Sequence, residues 1–272
     1  MRVIVTRPER EAHAWAEALL QRGMEVVELP LISILAVSDP AAICAAWRRL
    51  NEYAAVMFVS GAAVEYFFAL RPAAAVGLGS DISGGWNSRF WGTGPGTYSA
   101  LLRQGAEPGR IDTAPLVGAQ FDSEALWKVV AKRVRPGDRI LIVRGGDAAA
   151  DLAVQPAAPA AGSGRDWLAQ RLLHSGARVE FLQAYLRCVP AWDATQRALA
   201  CDAASDGSVW LFTSAQAVAN LGLCMPGQNW AGARALATHP RIAGAARAAG
   251  FAVVRESRPG VAEVVASIES NV

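Results

Sequence analysis

Three stretches of this chain occur twice. Phe58-Val59-Ser60-Gly61-Ala62-Ala63-Val64 returns as Phe212-Thr213-Ser214-Ala215-Gln216-Ala217-Val218, an offset of 212 − 58 = 154. Gly23-Met24-Glu25-Val26-Val27-Glu28-Leu29 returns as Gly176-Ala177-Arg178-Val179-Glu180-Phe181-Leu182 at offset 176 − 23 = 153. Pro95 with Gly105 returns as Pro240 with Gly250 at 240 − 95 = 145, each pair bracketing a helix that ends at glycine. Matches at so long an offset describe two similar halves rather than a short-period solenoid.

Within each half, short apolar runs alternate with helical spacing. Residues 3–5 read as a buried strand, residues 10–22 as a helix with Ala14, Ala18 and Leu19 on one face, and Gly23 as its stop. Further strands are expected at 26–29, 55–59, 90–92, 139–143, 179–182, 209–212 and 234–237. Such alternation implies α/β domains built on parallel sheets. The opening strand–helix–strand unit is too short to fill a sheet, so the expected first domain is discontinuous. Residues 1–35 join 186–272, residues 36–185 form the second domain, and the chain crosses at 30–35 and 184–190. Residues 148–164, rich in Ala, Pro and Gly, read as a flexible surface loop.

Hydrophobic residues make up 53% and charged residues 18% of the 272, enough apolar material for a core in each domain. Twenty-six basic against 24 acidic residues give a net +2, which argues against a nucleic-acid surface and leaves any anion site to be found locally. Cys44, Cys188, Cys201 and Cys224 are scattered without metal-ligand spacing, so no metal is expected and free thiols suit a reducing compartment. The chain starts directly on a strand pattern and its apolar runs stop short of a membrane span, so a cytoplasmic location is expected.

The repeated hydroxyl positions lie where strands give way to helices, and there free backbone N–H groups suit carboxylate or phosphate. Ser60 and Gly61 open one such helix, and Thr213, Ser214 and Ala215 another. Ordinary N-capping accounts for the same residues. Gly92-Thr93-Gly94-Pro95-Gly96-Thr97 departs from GxGxxG and has no Walker lysine, so it is read as a third anion-facing turn rather than a nucleotide loop. Thr238-His239-Pro240-Arg241 is its counterpart. Because open parallel sheets bind ligands at the carboxyl ends of their strands, two sheets turned toward each other would make a pocket. Arg7, Arg144 and Arg241 are the arginines placed to meet a polyanion there, although each alone also reads as a solvated charge. His239 is a candidate proton donor or anion contact, while His13 and His174 read as surface positions. No nucleophile elbow, HExxH or kinase set is present.

The sequence resembles the uroporphyrinogen-III synthase family over nearly its whole length. The resemblance rests on Val3-Ile4-Val5-Thr6-Arg7-Pro8, Leu29-Pro30-Leu31-Ile32-Ser33-Ile34, Phe58-Val59-Ser60, Gly94-Pro95-Gly96-Thr97 and Asp122-Ser123-Glu124-Ala125-Leu126. It continues through Leu141-Ile142-Val143-Arg144-Gly145, Tyr185-Leu186-Arg187 and Phe212-Thr213-Ser214. It implies two flavodoxin-like three-layer α/β domains joined by a two-stranded linker, the first domain being discontinuous. It further implies a cofactor-free, metal-free monomeric lyase of heme biosynthesis, with no nucleic-acid or membrane partner. The implied substrate is hydroxymethylbilane, a linear tetrapyrrole bearing eight carboxylates, closed to uroporphyrinogen III with inversion of ring D and loss of water. Tyr185 matches the family's interdomain tyrosine, and Ser60, Thr97, Thr213, Ser214 and Thr238 match substrate-contacting positions.

Two other readings fit the residues. A non-catalytic two-domain binding module would share the architecture, but no export signal or N-terminal helix-turn-helix supports it. An α/β nucleotide enzyme is weakened by the incomplete glycine loop.

Overall fold

The computed structural model describes residues 2–72, 87–114, 123–147, 155–156 and 164–270. The loop expected at 148–164 lies outside the described residues except at 155–156 and 164. Two compact units form, Met1–Ile34 with Arg187–Val272, and Leu35–Leu186.

The chain opens with β1 (Arg2–Val5), α1 (Glu9–Leu20), β2 (Glu25–Glu28) and β3 (Ser33–Ala36). The middle of the chain supplies α2 (Ala41–Arg48), β4 (Ala55–Phe58), α3 (Gly61–Phe68), β5 (Arg89–Gly92), α4 (Pro95–Arg103), β6 (Ile111–Thr113) and α5 (Ser123–Val130). It ends with β7 (Arg139–Asp147), β8 (Gln155–Pro156), α6 (Gly164–His174) and the long β9 (Arg178–Cys188). The return arm adds α7 (Ala194–Asp202), β10 (Val209–Phe212), α8 (Ala215–Cys224), β11 (Arg234–Ala237), α9 (Pro240–Ala248), β12 (Val253–Glu256) and α10 (Val261–Glu269).

The first unit's sheet runs β12-β11-β10-β1-β2, and each neighbouring pair is parallel. Counted within the unit this is the flavodoxin order 2-1-3-4-5. The second sheet runs β3-β9-β7-β4-β5-β6, with β4 parallel to β5 and β7, and β5 parallel to β6. Taking β7 and β9 as its first two strands and β4, β5 and β6 as the next three gives the same spatial order. The second unit is thus the first one's fold with its connections permuted, inserted after β2. The two strands that carry the chain across, β3 and β9, are hydrogen-bonded neighbours.

Alternation along the strands builds two apolar layers on the first sheet. Ile4, Trp210, Phe212 and Ala237 point one way, to Ala200 of α7, Val218 of α8 and Ile242 of α9. Val3, Val5, Leu211 and Leu236 point the other way, to Ala12 and Leu19 of α1 and Val264 and Ile268 of α10. In the second unit Met57, Trp91, Ile140 and Ile142 meet Leu126 and Val130 of α5 and Leu168 and Leu172 of α6. Its opposite face carries an aromatic cluster, with Phe58 at 5.5 Å from Phe67 and 6.2 Å from Phe90, and Trp47 stacked on Phe67 at 4.6 Å. Burying each such side chain is worth about 1.5–3 kcal/mol. Both units are three-layer sandwiches of helix, sheet and helix.

The repeated glycines have a backbone reason. Gly23 and Gly176 have φ of 75° and 81°, and Gly105 and Gly250 have φ of 85° and 101°. Each takes the left-handed conformation that ends a helix, which β-carbon sterics make costly for other residues. Four strands beyond those expected are present among the described residues, β3, β6, β8 and β12, and β8 pairs antiparallel with β9 inside the segment expected to be a loop.

Candidate active site

Register aligns the carboxyl ends of the strands within each unit. Val5 pairs with Leu211, Phe212 with Ala237, and Ala237 with Glu256. Phe58 pairs with both Val143 and Gly92, and Gly92 with Thr113. Every candidate residue except Tyr185 and Arg144 follows or ends one of these strands or opens the next helix, and Arg144 lies within β7 one residue past Val143. Arg7, Thr213, Ser214, Ala215, Thr238, His239 and Arg241 gather along the edge of the first unit's sheet. Ser60, Gly61, Thr97 and Arg144 gather along that of the second.

The register also makes the two edges equivalent residue by residue. Val5 pairs with Leu211 and Ile142 with Met57, and Leu211 and Met57 are 211 − 57 = 154 apart, the repeat offset. Arg7 and Arg144, each two residues past its paired strand position, are therefore counterparts. Ser214 and Ser60 correspond in the same way, as do Thr238 and Thr93, and His239 and Gly94.

The two serines take up their helices alike. Ser60 Oγ accepts the Ala63 N–H at 3.1 Å at the start of α3, and Ser214 Oγ accepts the Gln216 N–H at 3.2 Å at the start of α8. Next to α3 begins α4, close enough that a β-carbon on Gly61 would lie 3.6 Å from the Gly96 carbonyl oxygen. No side chain caps α4, whose N-cap is Gly94. Its counterpart α9 is capped by His239, whose Nδ1 accepts the Arg241 N–H at 3.1 Å. That role requires an unprotonated Nδ1 and leaves Nε2 as the donor in neutral histidine.

Other candidates are tied into the protein. The Arg7 guanidinium pairs with Glu11 and lies 5.1 Å over the Trp15 ring. Arg144 lies 4.2 Å over the Phe181 ring, a cation–π contact that holds the charge just past the β4-paired part of β7. Thr97 is 4% exposed and directs its Cγ2 at Gly92, so it shapes the turn after β5. Thr238 is nearly buried, and its N–H donates to the Phe212 carbonyl, continuing the ladder past β11.

Tyr185 comes from β9, 125 residues from Ser60, and its Oη lies 3.2 Å from Ser60 Oγ. Its ring stands 5.8 Å from that of Tyr66 on α3. Residues 145 and 146 are both glycine where β9 side chains cross β7. A β-carbon on Gly145 would clash with Cε2 of the Tyr185 ring and lie 2.8 Å from Oη, and one on Gly146 would overlap the Gln183 amide. Gly145, Gln183, Tyr66 and Thr93, whose Oγ1 donates to the Val59 carbonyl at 3.3 Å, were not among the sequence candidates. A glycine pair inside a strand pattern is the signal that marks such a close approach.

A depression of about 310 Å³ in the first unit lies elsewhere, lined by Val209, Arg234, Leu236, Val253, Arg255 and Ile268, at and near the amino ends of β10, β11 and β12. None of the candidate residues lines it. Among the described residues no three His, Cys, Asp or Glu side chains are grouped to hold a metal ion, and no helix is long and apolar enough to cross a membrane.

Residues 13–266 match the family model described as uroporphyrinogen-III synthase HemD. The chain belongs to the uroporphyrinogen-III synthase family. As a member it is a cyclising lyase of tetrapyrrole biosynthesis. Its fold is similar to that of the uroporphyrinogen-III synthetase of Helicobacter pylori, with a TM-score of 0.57 at 13% identity and 100% of each chain covered. It is also similar to a mutant uroporphyrinogen III synthase of Thermus thermophilus, with a TM-score of 0.52 at 17% identity, covering 99% of this chain and 98% of that one. The family's two-domain α/β fold is the one built here.

Proposed function

We propose that the chain acts on hydroxymethylbilane, binding its carboxylates at the carboxyl edges of the two sheets and using Tyr185 as the proton donor. The product is uroporphyrinogen III, for heme synthesis. The enzyme works as a cytoplasmic monomer without nucleic-acid or membrane partners, and its domains are residues 1–35 with 186–272, and 36–185.

The observation that carries this reading is the equivalence of the two edges. A substrate that repeats a carboxylate-bearing pyrrole along its length suits a protein that repeats an arginine and a hydroxyl-capped helix start. Arg7 and Ser214 serve one edge, Arg144 and Ser60 the other, with Gly61, Thr213, Ala215, Thr238, His239 and Arg241 beside them. Amides at helix starts favour anions and need no proton exchange to do so. Thr97 contributes through the shape of the Gly92–Gly94 turn.

The chemistry asks little of the protein beyond one proton and a fixed conformation. Tyr185 gives its hydroxyl proton to the departing hydroxyl, which leaves as water, while the electron-rich pyrroles stabilise the remaining cation. The substituted carbon of ring D attacks to give a spiro intermediate, which reopens and closes with that ring inverted. Loss of a ring-carbon proton completes the balance and restores the tyrosine. Holding the chain ends together supplies a further part of the rate by positioning.

Tyr185→Phe should lower kcat about 10- to 100-fold, at the weak end of general-acid effects. Initial rates with hydroxymethylbilane generated in a coupled assay measure it. A wild-type rate removes Tyr185 from the mechanism.

A further inference from the structure

We propose that Gly145 and Ser60 are positioning residues that act through Tyr185, one by making room for its ring and the other by directing its proton. The inference rests on the reading of Tyr185 as the proton donor.

Three contacts hold the tyrosine, which is 6% exposed. The ring lies against the bare backbone of Gly145 in β7, where any β-carbon would occupy the same space. The Tyr66 ring stands beside it at 5.8 Å. The hydroxyl meets Ser60 Oγ at 3.2 Å. Because strands β9, β7 and β4 are consecutive in the sheet and Ser60 follows β4, the tyrosine reaches the serine across β7. A side chain at 145 would block that path, and only glycine leaves it open.

Ser60 sets the direction of the hydroxyl. Its Oγ is the acceptor that caps the start of α3, taking the Ala63 N–H at 3.1 Å, and its own proton remains to be given. Donated to Tyr185 Oη, that proton occupies an oxygen lone pair and leaves the phenolic hydrogen to point away from α3. The chain of donors runs from the Ala63 amide through Ser60 to Tyr185, so the positive end of α3 favours the negative charge that builds on the tyrosine oxygen as its proton departs. No bond is made or broken in this arrangement except the proton transfer from Tyr185 already described.

The test is a double-mutant cycle on kcat and KM. Gly145→Ala should lower kcat by about the same 10- to 100-fold as Tyr185→Phe, as expected for a misplaced catalytic group, with KM changed less than about twofold. In the Tyr185→Phe background the same change should cost no further activity, because no hydroxyl remains to be misplaced. Ser60→Gly removes the hydroxyl while keeping an acceptable helix cap. It should behave in the same non-additive way, and Ser60→Thr should restore most of the rate. This serine pair carries the test if Gly145→Ala does not fold. A slowed Tyr185→Phe enzyme whose losses multiply with those of Gly145→Ala or Ser60→Gly would overturn the inference and leave the role of Tyr185 intact. A wild-type rate for Tyr185→Phe alone would overturn both.

Discussion

Tyr53, just before β4, shows how single residues divide the labour between the two ends of a strand. Its hydroxyl donates to Glu180 at 2.9 Å, and Arg49 and Arg139 lie over its ring. Burial, followed by that carboxylate, pushes its ionisation above the ordinary value of 10. A raised value means that the folded chain favours the neutral phenol. The stabilisation is therefore complete below pH 10 and drains away as pH climbs beyond it toward the raised folded value. The urea midpoint of the wild type should fall more steeply above pH 10 than that of Tyr53→Phe. Equal alkaline slopes would contradict the assignment. At the opposite end of the same strand Ser60 is spent on a helix cap and a tyrosine. The cap was legible in the sequence as a hydroxyl between a strand and a helix. The Ser60–Tyr185 contact was not, because it spans 125 residues and depends on which strands are neighbours.

Among the elements, the crossing segment after β2 depends on the return arm for its path. The buried Asn220 of α8 donates its Nδ2 to the Leu31 carbonyl at 2.7 Å, and the Trp192 indole N–H donates to the Pro30 carbonyl at 3.0 Å. A carbonyl left without its partner in such a place costs about 1–3 kcal/mol. Asn220→Ala should lower unfolding free energy by about that much in urea denaturation, and a loss below about 0.5 kcal/mol would show that the segment is held by other means. The central strands were legible as short buried runs, since both of their faces are apolar. The missed β3, β6, β8 and β12 are only two to four residues long. β12 has an exposed–intermediate–exposed–exposed pattern, and β6 and β12 end their sheets. Edge strands of this kind are defined by the neighbour they pair with, a fact that periodicity does not carry.

At the scale of the whole molecule, one α/β design is used twice, and the second copy is permuted and inserted into the first. The repeat offsets of 153 and 154 mark where the copies correspond, and the offset of 145 records a longer path from β4 to β5 than from β10 to β11. The outcome is a pair of sheet edges that carry the same kinds of groups in the same order, Arg7 and Arg144, Ser214 and Ser60, Thr238 and Thr93. This was readable from sequence only in part. The hydroxyl repeat stood out, whereas the equivalence of the two arginines emerged from strand register. On the proposed reading the duplicated edge meets a folded chain of carboxylated pyrroles, and control of that chain's conformation decides which ring carbon attacks. The isomer formed is therefore the direct readout. Purified protein supplied with freshly generated hydroxymethylbilane, followed by oxidation and chromatographic separation, should give the type III uroporphyrin. Type I alone, the product of closure without inversion, would contradict the account.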